Sequence, residues 1–345
     1  GELNEAGVYF FGYYEGAKGV SGDYFTYQKL SDRYYAMIKC DVAGKGIPAA
    51  LIMVQVATVF QDYFSGWTPK RPGLDVSSLV LRINDIVAER QFKGRFAALT
   101  VGILDTEKGA FYMANAGDNQ LHLYRGSSAA VEQLTIPGGP AAGTFSSADL
   151  PITFPQEMKM VERGDMLLLF TDGLEEAKRL LRGSDWQTFT VTQEMIDAGT
   201  VDERVSPDED GEEFSIERIH EIVSAVQTGG RYRLDKLMDP ETDAELVFDY
   251  QSCRNLARDT VLAVVAAERI FRLVPDPEAG PDQRIAVDRI IVEFLREHFL
   301  PFERYFSHPV VPWAEDDGTS QYVAFSHLRE DEQFDDITML VALRQ

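Results

Sequence analysis

Residues 34–64 read YYAMIKCDVAGKGIPAALIMVQVATVFQDYF and change pattern twice within one stretch. Residues 34–40 are mostly aromatic or apolar, which is typical of a buried strand. From Ile47 to Phe64, apolar residues recur at intervals of three and four, and Pro48 stands in the first turn, where its missing N–H is harmless. Asp41 and a Gly-Lys-Gly turn separate these patterns. The stretch therefore predicts a strand that ends at an acid and leads directly into a helix.

Further strands and a second helix are predicted on either side of this junction. Residues 8–14 form an aromatic strand that we expect to lie beside the strand of residues 34–40, and Ser77–Glu89 has the apolar spacing of a helix. Later apolar runs predict five more strands, at residues 97–104, 110–114, 120–124, 166–171 and 337–343. The order β-β-α-α-β-β-β-β indicates an α+β fold of antiparallel sheets with helices stacked outside them, rather than alternating βαβ units.

Residues 173–334 interrupt this pattern and make up close to half of the chain. They are predicted to be mostly helical, with an acidic loop at residues 206–213. The clearest helix is expected at residues 283–299, where the apolar side chains fall on one stripe. We therefore expect residues 1–345 to form a single domain that contains a large helical insertion at residues 173–334.

Composition limits the classes of function. The chain has 345 residues, 45% of them hydrophobic, and its 56 acidic and 33 basic residues give a net charge of −23. Such a charge repels nucleic acid and anionic membranes, so neither is expected as a partner. No apolar run is expected to reach the roughly 18 residues of a membrane-spanning helix. Cys40 and Cys253 are interpreted as reduced thiols of a cytoplasmic protein, and the first residues as the start of a domain excised from a longer one.

Aspartates stand where several of the predicted strands begin or end. Asp41 and Asp172 each follow a strand, Asp335 and Asp336 precede the last one, and Asp23 closes the turn after the first. Each position alone is a weak signal, because an Asp-Gly pair is usually a turn. Carboxylates from several strand ends can nevertheless converge on two Mg²⁺ or Mn²⁺ ions about 3.5 to 4 Å apart. The combination suggests a two-metal site that acts on a phosphoryl group.

Six short motifs resemble those of a known enzyme family. They occur in the order seen in bacterial SpoIIE/RsbU-type phosphatases, members of the PPM superfamily of protein phosphatase 2C-like enzymes. The motifs are Gly22-Asp23-Tyr24-Phe25, the decapeptide of residues 41–50, Asn115-Ala116-Gly117, Gly138-Gly139-Pro140, Thr171-Asp172-Gly173 and Asp335-Asp336-Ile337-Thr338. The resemblance covers about residues 7–180 and 330–345 but not the insertion. It implies a PPM-type α-β-β-α sandwich and two Mn²⁺ or Mg²⁺ ions, with a third ion as an alternative.

The resemblance also implies roles for individual residues. Asp41 would bridge both metal ions, and the main-chain carbonyl of Val42 would be a further ligand of one of them. Asp172 and Asp335 would hold the other ion. Asp23 would bind the second metal directly or through its waters. These residues are predicted metal ligands, and Asp41 and Asp172 are also predicted catalytic residues.

Three positions depart from the family pattern or are left open by it. Asp336, adjacent to Asp335, is a sixth candidate metal ligand whose share in ligation stays open. Lys18 stands five residues before Asp23, where the family usually has an arginine, and it is expected to contact phosphate as a point charge with less geometric control. Asp118 follows Asn115-Ala116-Gly117 where the family commonly has a histidine. We interpret Asp118 as an exposed turn residue, with a further acid of the site as the alternative.

The implied reaction is the hydrolysis of phosphoserine or phosphothreonine by a metal-activated water, without a covalent enzyme intermediate. The resemblance suggests a phosphorylated signalling protein as substrate, in particular a STAS-type anti-sigma-factor antagonist. It also implies a homodimer or an upstream sensory domain that regulates the enzyme through the helices Ile47–Phe64 and Ser77–Glu89. Two alternatives stay open: an inactive PPM-fold docking module, and a hydrolase of small phosphoesters.

Overall fold

The structure is a computed structural model, and it describes most of the chain in two compact units. The described residues are 1–17, 20–89, 94–183, 185, 187–201, 205–234, 246–275, 283–305, 311–312, 320–325 and 328–345. The first unit comprises Gly1–Gly173 and Asp335–Gln345, and the second comprises Leu174–Phe334.

The first unit contains two antiparallel sheets and two long helices. The strands of one sheet are β1 (Glu2–Glu5), β2 (Val8–Glu15), β7 (Leu121–Arg125), β8 (Ala130–Gln133), β10 (Met166–Phe170) and β20 (Ile337–Arg344). The strands of the other are β3 (Tyr24–Lys29), β4 (Tyr34–Val42), β5 (Ala97–Asp105), β6 (Ala110–Ala116) and β9 (Glu157–Met160). The helices are α1 (Ile47–Phe64) and α2 (Ser77–Glu89). The sheet orders are β1-β2-β20-β10-β7-β8 and β3-β4-β5-β6-β9.

The strand and helix at the quoted junction are confirmed, but the expected pairing of the first two predicted strands is wrong. Strand β2 pairs with β20, and β4 pairs with β3 and β5, so β2 and β4 lie in different sheets. The sequence pattern does not predict β3 because this strand lies at a sheet edge and five of its six residues are half-buried. A strand without a fully buried face lacks the alternation that identifies strands.

The side chains of β4 alternate between two hydrophobic cores. One side packs with helices α1 and α2 and is formed by Ala36, Ile38, Cys40 and Val42. The other side packs between the two sheets and begins with Tyr35 and Met37. Because side chains two apart on a strand share a face, Lys39 and Asp41 continue the side that lies between the sheets. The end of the core between the sheets is therefore polar.

Helix α1 has one buried side and one exposed apolar side. Ile47, Leu51 and Val54 are 67%, 51% and 54% exposed, whereas Ile52, Val56 and Phe60 are fully buried. Among the described residues, α1 is the one helix whose length and composition would allow it to cross a membrane, which corrects the expectation that no run is long enough. A single helix of this kind is weak evidence for a membrane span, because core helices of globular proteins meet the same criterion.

The second unit combines helices with short antiparallel strands, whereas the sequence predicts a mostly helical insertion. Helix α3 (Asp172–Glu175) lies at the boundary of the two units, and the remaining helices are α4 (Gln193–Asp197), α5 (Ile216–Thr228), α6 (Leu256–Arg272), α7 (Arg289–His298) and α8 (Phe302–Tyr305). The strands are β11 (Lys178–Leu180), β12 (Gly211–Glu213), β13 (Arg231–Leu234), β14 (Leu246–Asp249), β15 (Leu273–Pro275), β16 (Gln283–Asp288), β17 (Val311–Pro312), β18 (Ser320–Phe325) and β19 (Leu328–Glu330).

The prediction of a helix at residues 283–299 is wrong for residues 283–288. Residues 283–288 form β16, which pairs antiparallel with β18, and α7 begins only at Arg289. The Asp288 side chain accepts a hydrogen bond from the Ile290 N–H at 3.0 Å and so caps the helix. The apolar spacing in the sequence continues across this cap, so periodicity alone does not show where the helix begins.

The two sheets of the first unit approach closely beside the turn that carries Asp23. A Cβ atom on Gly12 of β2 would lie 2.1 Å from the ring of Phe25 on β3. We expect Gly12→Ala to lower the free energy of unfolding by about 1 to 3 kcal/mol, because the added methyl group overpacks this contact. Urea unfolding measures the loss, and Phe25→Leu in the same chain should recover part of it. An unchanged midpoint for Gly12→Ala would contradict this packing.

Candidate metal centre

Asp41 lies near the end of β4, where the core between the sheets opens to solvent, and it is half-buried. Burial raises the pKa of Asp41 to about 8, and repulsion from Asp23, Asp172 and Asp335 adds to this rise, whereas the Lys39 ammonium group opposes it. These carboxylates influence Asp41 because they lie near it. The fold therefore gathers four of the predicted ligands from separate parts of the sequence at one place.

Asp23 is buried next to the end of β10. Its Oδ2 accepts a hydrogen bond from the Thr171 hydroxyl at 2.8 Å, and its N–H donates to the Ser21 hydroxyl oxygen at 2.8 Å. Burial raises the pKa of Asp23 to about 7, with the Asp336 carboxylate adding to the rise. Because Thr171 directly precedes Asp172, this hydrogen bond holds Asp23 close to the segment that carries Asp172.

Two glycines allow the chain segments of the site to approach closely. A Cβ atom on Gly22 would lie 2.9 Å from the carbonyl oxygen of Val42, and one on Gly173 would lie 2.2 Å from the carbonyl oxygen of Asp336. Both distances are shorter than real Cβ contacts, so any side chain would push the segments apart. The glycines of the Gly22-Asp23 and Asp172-Gly173 pairs are therefore needed for the spacing of the acids.

Asp335 and Asp336 have different environments although they are adjacent. Both carboxylate oxygens of the buried Asp336 accept hydrogen bonds within the protein, from the Ala17 N–H at 2.8 Å and from the Ser21 hydroxyl at 2.6 Å. The Asp335 side chain is 48% exposed, and its Oδ2 lies 3.2 Å from Lys45 Nζ. Asp336 thus anchors the turn that leads to Asp23, while Asp335 extends toward solvent.

Two further sequence predictions concern charged residues near the site. Lys18, the predicted phosphate contact, lies outside the described residues. Asp118 is 4% exposed, so its interpretation as an exposed turn residue is wrong. It forms an ion pair of 2.7 Å with Lys39, which is itself 2% exposed. A lysine inside an otherwise apolar strand is the sequence signal that could have identified Lys39. Its partner Asp118 cannot be identified from spacing, because the two residues are distant in the chain.

The donor set fits a hard divalent cation. Carboxylate and carbonyl oxygens are the ligands that Mg²⁺ and Mn²⁺ prefer, and a cation relieves the mutual repulsion of clustered acids. Within the described residues, no three His, Cys, Asp or Glu side chains already surround a single ion position. Ligands shared between two ions and completed by carbonyls and water do not need such a closed cage.

The chain matches a known sequence family and several curated relatives, including RsbU and IcfG. The family model for Stage II sporulation protein E (SpoIIE) matches residues 31–229. Phosphoserine phosphatase RsbU of Bacillus subtilis is 28% identical over 162 residues, which are 47% of this chain and 45% of that protein. Protein IcfG of Synechocystis sp. is 27% identical over 187 residues, which are 48% of this chain and 28% of that protein. The chain thus spans less than half the length of either relative.

Solved structures that share the fold include two that align with nearly the whole chain. The SiaA-PP2C domain of Pseudomonas aeruginosa has a TM-score of 0.53 at 14% identity, covering 97% of this chain and 85% of that one. The PP2C phosphatase domain of SpoIIE from Bacillus subtilis, solved with a fragment of its regulatory domain, has a TM-score of 0.50 at 12% identity, covering 99% and 64%. The predicted PPM-type fold is therefore confirmed. Since the family model covers more than half of its residues, the chain belongs to the SpoIIE family of PP2C-like phosphatase domains.

Proposed function

We propose that this chain is a metal-dependent serine/threonine protein phosphatase. The observation that supports the proposal is the gathering of Asp23, Asp41, Asp172 and Asp335 at one edge of the core between the sheets. The Thr171 hydroxyl joins Asp23 to the strand end that precedes Asp172, and Gly22 and Gly173 let the segments that carry the acids approach closely. Membership of the SpoIIE family and similarity to a phosphoserine phosphatase support the reaction class.

The proposed metal centre holds two Mn²⁺ or Mg²⁺ ions. Asp41 would be shared by both ions, the carbonyl oxygen of Val42 would be an additional ligand, Asp172 and Asp335 would hold one ion, and Asp23 would serve the other. When bound, such ions polarise a phosphoryl oxygen and lower the pKa of a coordinated water enough for it to attack phosphorus. No histidine follows Asp41 closely in the sequence, so we propose that water rather than a side chain would protonate the leaving oxygen.

Other residues of the chain position these ligands. We propose that Asp336 orients Asp23 through Ser21, rather than binding metal itself, because both of its carboxylate oxygens are engaged by protein donors. Lys45 holds the partly exposed Asp335 through their 3.2 Å ion pair. Lys18 is proposed as the contact of the substrate phosphate.

The proposed substrate is a phosphoserine- or phosphothreonine-containing signalling protein, in particular a STAS-type anti-sigma-factor antagonist. Similarity to phosphoserine phosphatase RsbU supports phosphoserine as the residue that is hydrolysed. The negative charge of the chain makes nucleic acid an unfavourable partner. We place the enzyme in the cytoplasm, which agrees with the two free, buried cysteines.

We further propose that residues 173–334 are an insertion within one phosphatase domain, and that the chain forms a homodimer under the control of an upstream sensory domain. The exposed apolar side of α1, formed by Ile47, Leu51 and Val54, supports a second copy of the chain as its partner. Helix α1 begins five residues after Val42, so an event on this helix can reach the metal centre through a short connection.

Loss of the Asp41 or Asp172 carboxylate should lower the reaction rate strongly. We expect Asp41→Asn and Asp172→Asn to lower the Mn²⁺-dependent release of phosphate from a phosphoserine protein on the order of 100-fold or more, because each removes charge that holds the ions. Asp32→Asn is the matched control, since the Asp32 side chain is fully exposed, and it should leave the rate unchanged. Equal rates in all variants, or no dependence on added metal, would overturn the proposal; activity on nitrophenyl phosphate alone would favour a small-molecule hydrolase.

Disruption of the exposed side of α1 should dissociate the dimer. We expect Leu51→Glu to raise the dimer dissociation constant about tenfold or more, because it places a charge in a desolvated contact. Ser127→Glu, at an exposed position in the turn between β7 and β8, is the control for added charge. Analytical ultracentrifugation measures the association, and a wild-type protein that is monomeric and fully active would contradict the proposal.

A further inference from the structure

The ion pair between Lys39 and Asp118 is deeply buried and lies beside the candidate metal centre, with both side chains 2% exposed. Lys39 Nζ lies 2.7 Å from Asp118 Oδ1 and donates to the Phe170 carbonyl oxygen at 2.9 Å. Asp118 Oδ2 accepts from the Thr100 hydroxyl at 2.6 Å, and its Oδ1 also accepts from the Gln120 N–H at 3.0 Å. The Lys39 ammonium group therefore has two fixed partners, and one of them is itself held in place.

This pair joins the two strands that lead to the metal ligands. Lys39 lies on β4, two residues before Asp41, and Phe170 ends β10, two residues before Asp172. These strands belong to different sheets, so the hydrogen bond from Lys39 to the Phe170 carbonyl crosses between the sheets. This hydrogen bond joins the two sheets two residues before Asp41 on one strand and two residues before Asp172 on the other.

Stability alone does not account for a charge pair at this position. Tyr35 and Met37 occupy the same face of β4 and pack in the core between the sheets. Burying an ion pair costs desolvation energy, and well-packed apolar residues are often equally or more stabilising. A polar pair that replaces the apolar pattern only at the end of this face, beside the acids, indicates a role in the site.

We propose that Lys39 is a positioning residue, which fixes the spacing of the strand ends that carry Asp41 and Asp172 and thereby sets the affinity of the site for divalent metal. The inference rests on the proposed metal centre. Asp118 holds the ammonium group on the Phe170 carbonyl and neutralises its charge. Lys39 itself neither binds metal nor contacts substrate.

The test is direct Mn²⁺ binding, measured through the electron paramagnetic resonance signal of the free ion. Lys39→Met keeps the length of the side chain but loses the cross-sheet hydrogen bond, and it should raise the dissociation constant about 10- to 100-fold, as for other residues that orient metal ligands. Lys39→Met combined with Asp118→Asn removes both charges, so it folds without an unpaired buried charge. It should be weakened to a similar degree, because the connection between the strands is still lost.

Asp105→Asn is the matched control. Asp105 is 1% exposed and pairs with Arg33 at the far end of β5, where β4 begins. It should lower thermal stability without changing Mn²⁺ affinity. Wild-type affinity in Lys39→Met, or its recovery in the double variant, would overturn the inference while the proposed function stands. Failure of the wild type to bind Mn²⁺ would overturn both.

Discussion

The constraint on which the rest of the site depends is the mutual repulsion of carboxylates at one edge of two stacked sheets. Asp41 ends the face of β4 that lies between the sheets, and it is close enough to Asp23, Asp172 and Asp335 for their charges to raise its pKa. Such an arrangement is unfavourable unless protons or cations compensate it. The sheets hold these acids together through a large shared core, so the fold supplies the energy that concentrates negative charge at this edge.

The close spacing of the acids depends on main-chain contacts as much as on side chains. Gly22 lies against the Val42 carbonyl, and Gly173 lies against the Asp336 carbonyl. Asp336 then joins the last strand to the turn before Asp23 through two hydrogen bonds. The Asp-Gly and Gly-Asp pairs are thus spacing elements, which explains why an acid and a glycine occur together in these motifs.

The sequence predicts the elements that have strong local signals. Helices α1 and α2 have the predicted bounds because Pro48 marks the start of one and apolar periodicity defines both. The sequence does not predict β3, which has no fully buried face, nor that β2 and β4 belong to different sheets, because pairing is a long-range property. Within the site, the acids follow from motifs, whereas the burial of Asp118 depends on Lys39, a residue distant in the chain.

The most direct measurement is a crystal structure of the chain grown with Mn²⁺, with anomalous scattering recorded at the manganese edge. Two anomalous peaks should lie within coordination distance of Asp41, with Asp23, Asp172, Asp335 and the Val42 carbonyl completing the ligand sets directly or through water. Absence of any peak beside Asp41, or peaks held by other residues, would contradict the account.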